Sequence, residues 1–80
     1  MTREQNILNE LNRAEQRLKK AYEMGYTEDI KTLEGWITGA HRMLQMLGYT
    51  AIVDDSKDEW VEYSEGATWI YTYKAIEDKR

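Results

Sequence analysis

The stretch Glu28–Leu47, EDIKTLEGWITGAHRMLQML, limits the fold more than any other part of this chain. Ile30, Leu33, Ile37, Ala40, Leu44 and Leu47 recur at helical spacing and cover about 100° of one helix surface. Trp36 and Met43 widen that arc on one side, with Gly39 and Met46 just beyond. The full apolar and small-residue arc approaches about 200°, too wide for one neighbouring helix to cover. A helix of this kind needs partners on two sides.

The first partner is the segment before it. Ile7, Leu11, Ala14, Leu18 and Ala21 are spaced 4, 3, 4, 3, a helical seam that Leu8 and Tyr22 widen. The spacing predicts a helix from Arg3 to Met24, with Thr2 as its N-cap. Arg13, Arg17 and Lys20 share a face away from the seam and read as a solvated surface. Gly25 suits the left-handed position that ends a helix, and Thr27 is the expected cap of the next one, with Glu28 and Asp29 in its first turn. So short a connection makes the two helices an antiparallel hairpin.

After Gly48 the pattern changes to β. Thr50–Val53, Glu59–Tyr63 and Thr68–Tyr73 read as strands, and Asp54–Asp58 and Ser64–Ala67 as the turns between them. A tight turn at Glu65-Gly66 sets Val61 opposite Ile70 and Glu62 opposite Trp69. Trp60, Glu62, Trp69, Tyr71 and Tyr73 then share one face. The large aromatics mark it as the face expected to cover the Trp36/Met43 flank. The expected architecture is α+β, in the order α-α-β-β-β, as one domain over residues 1–80. A helical hairpin (3–47) packs on an antiparallel meander (50–74), and the polar tail (75–80) is frayed.

Charge is uneven along the chain. Residues 1–49 balance seven basic against seven acidic side chains, so the net charge of −4 comes entirely from the remainder. Six acids, Asp54, Asp55, Asp58, Glu59, Glu62 and Glu65, crowd the hairpin against a single Lys57. Such a surface repels nucleic acid and membranes and attracts a basic protein. With Trp60 and Tyr63 as aromatic anchors, these acids are the expected partner-binding residues. Asp54, Ser56 and Asp58 echo the start of a calcium loop, but Glu59 stands where that loop needs glycine, so the segment reads as an ordinary acidic hairpin.

Gly35 and Gly39 cost helix stability, about 1 kcal/mol each relative to alanine. Their shared face, with Met46, is therefore the expected self-association strip, approached by a strand or by a second copy. His41 is the one histidine and has no nucleophile or second metal ligand at suitable spacing, so it reads as a boundary residue. There is no cysteine. Neither a metal, a cofactor nor catalysis is expected.

In size, acidity and lack of cysteine the chain resembles the small accessory proteins encoded by phages and prophages. That group includes anti-CRISPR proteins and DNA mimics that occupy the basic groove of a host machine. The resemblance implies a cytoplasmic inhibitor that binds protein. The alternatives are a homodimeric assembly module and a small-ligand binder built on Trp60, Trp69, Tyr71 and Tyr73.

Overall fold

The computed structural model describes residues 2–80. Helix α1 (Arg3–Met24) and helix α2 (Thr27–Met46) form the expected hairpin, followed by β1 (Tyr49–Val53), a short 3-10 turn (Asp55–Lys57), β2 (Glu59–Tyr63), β3 (Gly66–Ile70) and β4 (Tyr73–Asp78). Thr2 caps α1 by accepting the backbone N–H of Gln5 at 3.1 Å. Gly25 adopts φ 74°, and its N–H and that of Tyr26 return to carbonyls of the last turn. A side chain at this φ would be strained, and glycine carries none. The second helix starts one residue earlier than expected: Tyr26 is its N-cap, without a side-chain bond, and Thr27 is already helical.

The α+β class is as read from the sequence, but the β region differs from it in four respects. First, the tail is not frayed: residues 73–78 form β4, antiparallel to β1, with Tyr49 opposite Asp78 and Ala51 opposite Ile76. Second, β3 ends at Ile70, so there are two two-stranded ladders, β1–β4 and β2–β3, instead of one meander. Asn12 on α1 explains the break. Its side chain accepts the N–H of Tyr73 at 2.7 Å and donates to the carbonyl of the same residue at 2.9 Å. Both backbone groups of Tyr73 are thereby turned to the helix.

Third, the β2–β3 loop is Ser64-Glu65, which moves the register by two residues: Trp60 pairs with Trp69, Val61 with Thr68, and Glu62 with Ala67. A two-residue shift leaves each side chain on its expected face. Fourth, the buried face is the opposite one. Val61 and Ile70 enter the core, whereas Trp60 and Trp69 point outward.

Both ladders cover the same side of the helical hairpin. Ala14, Leu18, Ile37, Val61 and Ile70 form one core cluster, and Leu11, Leu44 and Tyr73 form the other. The narrow side chains of Val61 and Ile70 fit over the short Ala14, where an indole would hold the layers apart. The Trp36/Met43 flank, expected under the sheet, is consequently bare: Trp36 is 48% exposed and Met43 59%. No strand reaches the second-helix glycines either, since a Cβ built on Gly35 or Gly39 meets no atom within 4 Å. Among the described residues no helix is long and apolar enough to cross a membrane.

Candidate interaction surface

The outer face of the β2–β3 hairpin is built by alternation. With Val61 and Ile70 fixed inward, Trp60, Glu62, Ala67 and Trp69 must face out. Trp60 and Trp69 sit directly opposite each other in edge-to-face contact, ring centroids 4.9 Å apart and planes at 63°. They remain 54% and 48% exposed, and Tyr71 beside them is also exposed. Such a pair gains about 1 kcal/mol from its own contact while leaving about half of its surface in water.

The six acids of the segment do not act as one surface. Asp54 caps the 3-10 turn, accepting the Ser56 N–H at 3.2 Å and its hydroxyl at 2.6 Å, and Lys57 lies 4.0 Å away. The Ser56 hydroxyl above all, with help from Lys57, holds its carboxyl below the usual range. Glu59 faces α1, where it accepts from Lys19 at 3.2 Å and Gln16 at 3.4 Å; these bonds, Lys19 first, lower its pKa. Asp58 is half-buried, with Oδ1 enclosed and without a hydrogen-bond partner. Tyr63 also turns inward, onto the ring of Tyr22 at 4.5 Å. Of the eight residues expected to bind a partner, Asp54, Glu59 and Tyr63 therefore serve the fold, and Asp58 is partly withdrawn from the surface. Asp55, Trp60, Glu62 and Glu65 are exposed. The structure brings Trp60 and Glu62 onto one face, sets Glu65 at its tip, and adds Trp69 and Tyr71.

A second polar group lies inside. Glu15 is only 3% exposed, and Tyr73 Oη donates to its Oε1 at 3.4 Å. The same Tyr73 oxygen lies 3.0 Å from His41 Nε2, and the imidazole tautomer sets which of the two donates. Desolvation by burial raises the Glu15 carboxyl to about 7, against smaller opposing bonds from the Tyr71 backbone and the Tyr73 hydroxyl. Burial and the Glu15 charge push the Tyr73 hydroxyl up as well, and burial lowers His41. Sequence reading passed over Glu15. A signal was available, since Glu15 stands four residues after Leu11 and three before Leu18, inside the apolar arc. None of these side chains lines the cleft between the helices or the shallow depression around Leu8 and Ile76. The cluster joins α1, α2 and β4.

Among the described residues, no three His, Cys, Asp or Glu side chains are placed to hold a metal ion. The calcium-like spacing is undone by the strand Glu59–Tyr63, which carries Glu65 to the far end of the hairpin from Asp54. No protein-family model, curated protein or solved structure matches the chain.

Proposed function

We propose that this chain is a non-catalytic protein-binding module whose contact surface is the outer face of the β2–β3 hairpin. Trp60, Trp69 and Tyr71 are the anchors, and Glu62 and Glu65 supply negative charge at the rim. The observation that carries the reading is the choice of face: the hairpin puts Val61 and Ile70 into the core and leaves two paired indoles in water. Tryptophan and tyrosine dominate the energetics of protein interfaces, and rim charges set encounter rate and orientation. The net charge of −4 and the exposed Asp55 favour a partner with a basic surface. That is also the mode of action of the phage-encoded inhibitors that the chain resembles in size and charge. We extend the proposal to an inhibitor that occupies a basic groove of a host machine in the cytoplasm.

The test is capture of partners from a lysate of the source cell by the immobilised chain. Trp60→Ala/Trp69→Ala should abolish capture of the specific partner, and Glu62→Lys/Glu65→Lys should weaken it and reduce its salt dependence. Circular dichroism should show both variants folded. Undiminished capture by the folded tryptophan variant would refute the proposal.

A further inference from the structure

The side of the helical hairpin away from the sheets is also uncovered, and its charges are ordered. A cleft of about 550 Å³ runs between α1 and α2, floored by the small Ala14 and Ala21 and by Leu33, with Trp36 on its rim. Arg17 and Lys20 stand on the α1 wall and make no ion pair or hydrogen bond among the described residues. Asp29 on the α2 wall and the adjacent, exposed Glu28 are likewise unpaired. From Thr32 to Leu47 the open side of α2 presents Trp36, Gly39, Met43 and Leu47 and no charge.

We propose that a second copy of this chain covers this side, with its α1 over the first copy's α2 and the reverse. A two-fold axis parallel to the helices produces that arrangement and keeps each facing pair antiparallel, giving a four-helix layer between two outer sheet layers. The hairpin turn sets the complementarity. Arg17 and Lys20 shortly precede Gly25, and Glu28 and Asp29 shortly follow it, so both groups lie at the same end of the hairpin. The two-fold therefore brings the unpaired cations of each copy over the unpaired acids of the other, in two equivalent contacts at the turn end of the interface. The same overlay, at about 1.5 Å rise per residue, puts Trp36 of one copy against the level of Ala14 in the other. It puts Met43 at the level of the half-buried Ile7. Trp36 then faces the small Ala14 in the floor of the partner's cleft, beside the ion-paired Glu10 and Arg13 of its α1 wall. Gly35, Gly39 and Met46, the strip expected from the sequence to self-associate, fall toward the rim of this interface, and its centre moves to Trp36 and Met43. An 80-residue chain without cysteine gains from such burial, because its own core is small for its surface.

Charge reversal with complementation, read by sedimentation equilibrium, tests this arrangement. The wild-type chain should move with concentration from 9.5 kDa toward twice that mass. Arg17→Glu/Lys20→Glu, which sets acid against acid, and Glu28→Lys/Asp29→Lys, which sets base against base, should each weaken association by about tenfold or more. An equimolar mixture of the two variants should restore it, because both contacts of the mixed pair are then between opposite charges. All four side chains are exposed, and circular dichroism verifies folding. The proposal is overturned if the wild type stays monomeric, if either reversed variant associates as well as the wild type, or if the mixture does not recover. The hairpin-face function does not depend on this result, since Trp60 and Trp69 lie on the outer side of the sheet.

Discussion

Glu15 is the side chain whose environment departs furthest from what its type prefers. The folded state binds its proton more tightly than the unfolded chain does, raising its pKa from 4.5 to about 7. The linkage follows directly: its protonated form is accommodated in full below pH 4.5, and stability is lost as pH rises toward and through 7. Allowing for screening, the loss is about 2 kcal/mol. His41 works in the other direction. Its pKa is lowered from 6.5 by burial, so its share of stability is present above that pH and lost as pH falls below it. Glu15→Gln should be more stable than the wild type at pH 8 and show a flatter profile between pH 5 and 8 in urea unfolding. The slope that remains between pH 5 and 6.5 should then shrink in Glu15→Gln/His41→Gln, leaving the share of the lowered Asp54 and Glu59 carboxyls on the acid side. A wild-type profile that rises across the same range would mean that Glu15 is solvated.

At the scale of the elements, the helices were legible and the last strand was not. The seam Ile7–Leu11–Ala14–Leu18–Ala21 and the stop at Gly25 each express a local rule, and both ends of α1 fall where those rules put them. The strand β4 obeys no strong local rule. Of YKAIED, only Tyr73 is buried and Ile76 half-buried, because the two-stranded ladder has one partner and one covered face. Its place depends on Asn12, sixty-one residues away in sequence, and on Gly48, whose φ of 88° turns the chain out of α2 beside Arg80. The buried face of β2–β3 was misread for a related reason. Aromatic size argues for burial, but the fit against Ala14 and Leu18 decides, and that fit is a tertiary property. Three of the expected partner-binding residues were likewise taken by partners that composition does not reveal: Asp54 by the nearby Ser56, Glu59 by Lys19 forty residues away, and Tyr63 by Tyr22. Asn12→Ala strips both hydrogen bonds from the buried Tyr73 backbone and should cost about 2–3 kcal/mol. Amide exchange should rise first in β1 and β4, with β2 and β3 less affected. Uniform loss of protection across all four strands would show that Asn12 does not anchor this ladder.

The whole molecule is a two-sided layer. One helical side is closed by Val61, Ile70 and Tyr73, and the other is open along Trp36 and Met43. The sheet in turn shows its own bare aromatics, Trp60 and Trp69, to solvent. All three tryptophans, which carry the largest apolar side chains of the chain, are thus outside the core. That is an expensive arrangement for so small a domain unless the surfaces meet partners. Both the hairpin-face function and the helix-side pairing rest on this distribution. Equilibrium unfolding tests it most directly, comparing Trp60→Ala/Trp69→Ala with Ile70→Ala under monomeric conditions. If the indoles are an interaction surface, their joint removal should cost no more than about 1.5 kcal/mol, the value of their mutual contact and partial burial. Removing the fully buried Ile70 should cost about 2–5 kcal/mol. The opposite order, with the tryptophan variant unfolding more easily than Ile70→Ala, would place the indoles in the core and contradict the account.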